Sequence, residues 1–350
     1  MSRPRNAAPD ELFAAARTGD RVALARLLSL VERGGPASRA VAGIAYRSGA
    51  TAYTIGITGA PGAGKSTLTD RLIAEARARP WPDTDGQGPP PADGAAASVA
   101  VLAVDPSSPF TGGAILGDRV RMQSHALDDG VFIRSMATRG HLGGLTLAVP
   151  DAVRVLAAAG TPLVLVETVG VGQVEVEVAS AADTTVVVVN PGWGDGIQAN
   201  KAGLLEIADL FVINKADRPG TREARRDLEL MLDLTSLGEW RPPIIETVAA
   251  AGEGVGALWD ALGAHRDHLR ERGLLDELRR ERLEREFDRV LAARVADRVG
   301  ELQQQADYSA ITSRLVAHEI DPYEAADRLL GGLEPAGTPG DGDAPGSPGA

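Results

Sequence analysis

The run Gly59-Ala60-Pro61-Gly62-Ala63-Gly64-Lys65-Ser66 sets three glycines, an amine and a hydroxyl at the spacing of a phosphate-binding loop. Without Cβ atoms, Gly59, Gly62 and Gly64 let the backbone curl around phosphate oxygens, so that successive N–H groups point inward. Lys65 supplies a positive charge for the β- and γ-phosphate oxygens. The Ser66 hydroxyl is a hard oxygen ligand suited to Mg2+, and Thr67 carries the chain into a helix whose positive end adds to the anion site. This set predicts a bound nucleoside triphosphate; the alternative, a chance glycine turn, leaves the strand before it and the helix after it unaccounted for.

A second constellation names the base. Asn214-Lys215-Ala216-Asp217 follows an apolar strand at residues 210–213 and has the NKxD pattern. The Asp217 carboxylate can accept from both N1–H and the exocyclic amine of guanine. Adenine presents no such pair, so GTP and GDP are expected over ATP.

Two acidic residues end further strands. Asp105 closes the apolar run 101–104, and Glu167 closes the run 163–166. In an open parallel sheet such positions gather at one rim, where Asp105 would reach Mg2+ or its waters. Glu167 would do the same, with Gly170 offering a backbone N–H to the γ-phosphate. Ras-like GTPases carry Asp where this chain has Glu167. Bland readings stand beside both: Asp105 as a turn former before Pro106, and Glu167 as a solvated loop acid.

The elements that must position these groups follow from hydrophobic periodicity. Residues 8–32 read as a helix broken at Gly19-Asp20, and 36–47 as a second helix. From residue 53 to 247 strands and helices alternate, which predicts an α/β fold with a mostly parallel sheet covered on both faces. Residues 79–97, rich in proline and glycine, read as a surface insertion. Beyond Val255 the pattern is helical and charged. There Leu275, Leu278, Leu283, Phe287, Val290, Leu291, Val295, Val299 and Leu302 recur at about 3.5-residue spacing, either packing back on their own domain or forming a subunit interface. The division expected is 1–50 helical extension, 51–262 nucleotide domain, 263–330 helical arm and 331–350 disordered tail.

Composition bounds the remaining choices. The chain has 350 residues, 44% of them hydrophobic, enough for one substantial core with appendages. A formal charge of −12 argues against a nucleic-acid-binding face. Cysteine is absent, which excludes disulfides and thiolate metal sites. A polar start and the lack of any long apolar run point to a cytoplasmic protein with no membrane association.

Residues 105–119, 134–144, 166–173 and 194–201, taken together, resemble the MeaB/ArgK family of P-loop GTPases, and the likeness spans residues 10 to 330. The resemblance implies a SIMIBI-type G domain that hydrolyses GTP and guards an adenosylcobalamin-dependent acyl-CoA mutase, most often methylmalonyl-CoA mutase, gating cofactor loading. It implies that Ser66, Asp105, Asp118 and Glu167 surround Mg2+ and the attacking water. Residues 105–118, 167–173 and 191–201 match three switches, the third with Asp195, Gln198 and Lys201 at its polar positions. Ala249 falls where a main-chain contact to guanine is expected, with Val248 in place of the usual serine. The C-terminal helices are those by which the family forms homodimers.

Three rival classes ask for other residues: a non-enzymatic module that merely holds GTP would need a broken P-loop or missing magnesium acids, and both are intact. A nickel-delivery GTPase would need Cys or His clusters, but the histidines are His125, His141, His265, His268 and His318, and the i, i+3 pair His265/His268 reads as solvated on a charged helix. A transport-associated kinase would need a phosphoacceptor, of which the sequence carries no sign.

Overall fold

The computed structural model describes residues 7–79, 81, 99–106, 123–125, 127–138, 144–168, 181–192, 206–235, 238–304 and 306–331. Asp118, Gly170, Asp195, Gln198, Lys201 and the tail 332–350 lie outside them, as does most of the expected insertion.

Short β-branched and apolar runs form the strands β1 (Tyr53–Gly59), β2 (Val99–Pro106), β3 (Val131–Thr138), β4 (Leu163–Thr168), β5 (Thr184–Val189), β6 (Leu210–Asn214) and β7 (Ile244–Thr247). They make one seven-stranded sheet in the order β3-β2-β4-β1-β5-β6-β7, and every pairing is parallel. β1 sits centrally, with Ile57 in register with Glu167 of β4 on one side and Val186 of β5 on the other. β1, β4, β5 and β6 are buried along their whole length, because helices cover both faces.

The helices are α1 (Pro9–Arg17), α2 (Arg21–Arg33), α3 (Gly35–Arg47), α4 (Lys65–Ala78), α5 (Gly144–Ala158), α6 (Thr221–Leu234), α7 (Val255–Glu271), α8 (Leu274–Gln303), α9 (Ala306–Val316) and α10 (Pro322–Gly331). α4 and α7 bury Leu68, Leu72, Ile73, Leu258 and Leu262 against Ile55, Ile57, Leu165 and Val188 on one face. The other face is divided between α1, α2, α3 and α5, which pack on Leu102, Val164 and Val166, and α6, which packs on Val187, Phe211 and Ile213. The expected break between α1 and α2 has a local cause. Gly19 takes φ 90°, and Asp20 Oδ1 accepts from Val22 N and Ala23 N, both at 3.0 Å, capping α2.

Two compact units divide at Glu286 and Phe287. Leu275 and Leu278, at the start of α8, belong to the core of the first. In the second, α9 packs with α10, and Leu302, Ile320 and Ala325 are buried. Phe287, Leu291 and Val295, spaced by four on α8, are 63%, 51% and 56% exposed.

Two expectations are corrected. Trp81, inside the stretch read as a surface insertion, is buried. It lies between Tyr53 and Trp259, at centroid distances of 5.3 and 4.9 Å, and the Arg266 guanidinium stacks over its ring. An indole in a proline-rich segment can still find an aromatic slot, and its area favours doing so. His265, read as solvated, is buried as well. Its Nδ1 lies 2.8 Å from Thr184 Oγ1, which is 2.5 Å from the Tyr53 hydroxyl, and Trp240 packs on its ring. Burial pushes the His265 pKa down to about 4, helped by the neighbouring His268 charge and opposed by Asp183.

The same amino-terminal end of the sheet holds Asp183, which is buried. Its carboxylate accepts from Thr54 N at 3.0 Å, from Arg279 Nη2 at 3.0 Å and from Arg282 Nη1 at 2.7 Å. Burial alone would raise its pKa, but the two guanidinium groups outweigh this and hold the carboxyl below its usual range. The start of α8 is thereby fastened to β1 and β5.

Candidate nucleotide site

All parts of the site stand at the carboxyl ends of the strands, opposite Asp183. β1 ends at Gly59, whose φ is 129° and whose missing Cβ leaves room for the Val188 carbonyl of β5. The loop turns through Gly62 at φ 74° and enters α4 from Gly64 at φ 95°. A Cβ on Gly64 would collide with the Asn214 amide, so the third glycine serves contact with the base motif as well as the turn.

The Lys65 ammonium is buried at the base of the loop, donating to Gly59 O at 2.7 Å and Ala60 O at 3.1 Å. One residue on, Ser66 Oγ donates to Glu167 Oε1 at 2.5 Å. Ser66 and Glu167 are both buried, so the reading of Glu167 as a solvated loop acid does not hold. A hydroxyl and a carboxylate side by side under a phosphate-binding loop form an all-oxygen donor pair, the chemistry that Mg2+ prefers. These residues therefore fit the ion. Asp105 is the penultimate residue of β2, its backbone in register with Ala137 of β3, and β2 lies directly beside β4.

Asn214 ties three segments together. It is buried, its Nδ2 donates to Ala63 O at 2.8 Å, and its Oδ1 accepts from Thr247 Oγ1 at 3.1 Å and from Ala249 N at 3.0 Å. Lys215 takes a left-handed φ of 62° and lays its Nζ on Gly62 O at 2.6 Å. Ala216 N bonds to Thr247 O at 3.0 Å, leaving Asp217 exposed at the rim, where a base edge can reach it. Ala249, expected to make a main-chain contact to guanine, directs its N–H to Asn214 in this structure.

The structure thus brings the phosphate loop, Glu167, the NKxD residues and the turn after β7 to one rim. Sequence reading missed two contributors. Thr247 supports Asn214, and Arg71 of α4 donates to Ala249 O at 3.1 Å and Ala250 O at 3.2 Å. A threonine at a strand end and an arginine six residues past a lysine carry no distinguishing local signal. Among the described residues, no group of three or more His, Asp or Glu side chains clusters as a metal site, and no helix is long and apolar enough to cross a membrane.

Comparison with known proteins agrees with this geometry. The family model described as methylmalonyl Co-A mutase-associated GTPase MeaB matches residues 24–304. A Pyrococcus abyssi protein named as a GTPase is 48% identical over 92% of this chain and 95% of its own length. The Caenorhabditis elegans protein named methylmalonic aciduria type A homolog, mitochondrial, is 31% identical over 79% of this chain and 70% of its own. Among solved structures, one titled LAO/AO transport system kinase superposes with a TM-score of 0.66 at 26% identity, covering 95% of this chain and all of the other. With a family match over most of its length and a P-loop, an acidic β4 end and an NKxD loop meeting at one sheet rim, the chain belongs to the MeaB family of P-loop GTPases.

Proposed function

We propose that this GTPase is a chaperone of an adenosylcobalamin-dependent acyl-CoA mutase, with methylmalonyl-CoA mutase the first candidate client. In this reading it gates loading of the mutase's cofactor and protects or reactivates the mutase. The observation that carries this reading is the match of residues 24–304 to a family described as mutase-associated. The methylmalonic aciduria name of the C. elegans relative supports it.

The chain's own residues define the chemistry proposed. The loop 59–66 wraps the β- and γ-phosphates with its N–H groups, and Lys65 turns its ammonium from Gly59 O and Ala60 O toward their oxygens. Ser66 and Glu167 would hold Mg2+, with Asp105 and Asp118 as further acids near it, and the ion would add charge neutralisation at the phosphates. Asp217 reads the guanine edge, held at the rim by Asn214 and Lys215. In this reading intrinsic hydrolysis is slow and the client completes the site. A second copy of this chain covers the exposed Phe287, Leu291 and Val295 face, giving a homodimer.

The test is steady-state GTP turnover with and without purified client. Saturating methylmalonyl-CoA mutase should raise kcat by at least about tenfold. An unchanged rate, with no complex in gel filtration, would overturn the client assignment.

A further inference from the structure

The turn after β7 is built almost wholly from its own donors. Val248 N bonds to Glu253 O at 3.0 Å, Ala251 N to Val248 O at 2.9 Å and Gly252 N to Ala249 O at 3.2 Å, while Ala249 N faces Asn214. Position 248 holds valine, which has no polar side chain with which to steady the turn from within. Besides Asn214, outside support comes from Arg71. Its Nε donates to Ala249 O at 3.1 Å and its Nη2 to Ala250 O at 3.2 Å.

Arg71 stands on α4, seven positions after Gly64, so the helix that opens at the phosphate loop also grips the turn beside the base motif. A guanidinium fork that donates to two consecutive carbonyls fixes the orientation of the peptide between them, which a single ammonium does not. We propose that Arg71 is a positioning residue for guanine recognition. It holds the Val248–Ala251 turn against Asn214, whose Oδ1 takes the Ala249 N–H, so that the base motif keeps its geometry, and it links the phosphate end of the site to the base end through one helix. This rests on the reading of the rim as a guanine-nucleotide site.

The experiment compares full-length wild type, Arg71→Ala and Arg71→Lys for binding of fluorescent GDP and of ATP, and for GTP turnover. In Arg71→Ala the Kd for GDP and the KM for GTP should rise by about tenfold, against a change of no more than about twofold in kcat. Weak ATP binding should stay as in wild type, so the preference for guanine narrows by the same factor. Arg71→Lys, with a single donor nitrogen instead of a planar fork, should fall between wild type and Arg71→Ala. Unchanged GDP affinity in Arg71→Ala overturns the proposal. So does equal weakening of GDP and ATP, which is the mark of a general loosening of α4. Absence of any guanine preference in wild type would instead sink the site reading itself, whatever Arg71 does. If Arg71→Ala fails to fold, the guanine-to-ATP ratio of Arg71→Lys decides.

Discussion

Ser66 Oγ meets Glu167 Oε1 at 2.5 Å, joining the first turn of α4 to the end of β4 across 101 residues of sequence. Replacing the carboxylate by an amide keeps the shape and removes the charge. Glu167→Gln should lower GTP turnover by about a hundredfold and raise the Mg2+ concentration needed for half-maximal rate. GDP binding measured in EDTA should change little. A wild-type Mg2+ profile in this variant would reduce Glu167 to a support for Ser66.

Asp217 is exposed at the rim while its neighbours Asn214 and Lys215 are locked onto the phosphate loop. In Asp217→Asn the amide loses the acceptor pair for guanine but matches xanthine, whose C2 oxygen accepts where guanine's amine donates. GTP affinity should fall by at least about a hundredfold and XTP affinity should rise. Competition titrations against fluorescent GDP would read both.

Asp183 accepts from two arginines of α8 at the far end of the sheet from the nucleotide. Asp183→Asn would leave two half-buried guanidinium groups without their counter-charge, a loss of about 3 kcal/mol of stability. Urea unfolding should show it as a lower midpoint. GDP affinity under native conditions should be retained, because the strand ends that carry the site are untouched.

His265 gives a pH signature. Its folded pKa, about 4, lies below the ordinary histidine value, so the unfolded chain binds the extra proton first as pH falls. The stability it contributes is full above about pH 6.5 and is lost progressively down to about pH 4. Relative to His265→Gln, the wild type should therefore lose about 2 kcal/mol of its advantage between pH 7.5 and 4.5. Melting curves of the two proteins across that range would test it, and a gap independent of pH would contradict the buried neutral imidazole.

The exposed series Phe287, Leu291 and Val295 on α8 yields a last expectation. Phe287→Glu combined with Val295→Glu should halve the mass seen by sedimentation while leaving GTP turnover per chain within about twofold of wild type. An unchanged mass would remove this face from the proposed dimer.

The alternation of apolar runs and helical periodicity was enough to foretell a parallel sheet with two covered faces, because a strand buried on both sides must be apolar throughout and a covering helix must be striped. The phosphate loop and NKxD were equally legible, since each is a short contiguous stretch whose geometry is local. Gly59 and Gly64 could be named from sequence for the same reason, although their collision partners, Val188 O and Asn214, could not.

What only the tertiary structure decided are the pairings between distant segments: Ser66 with Glu167, Asn214 with Ala63 and Thr247, and Arg71 with the turn at Ala249. His265 and Trp81 were misjudged because burial is a property of what packs on a side chain, and neither a charged helical context nor a proline-rich one reveals that neighbour. A sequence determines which groups are present and which local shapes they allow. Which of them come within hydrogen-bond reach is decided when strand order and helix packing bring segments a hundred residues apart to one rim.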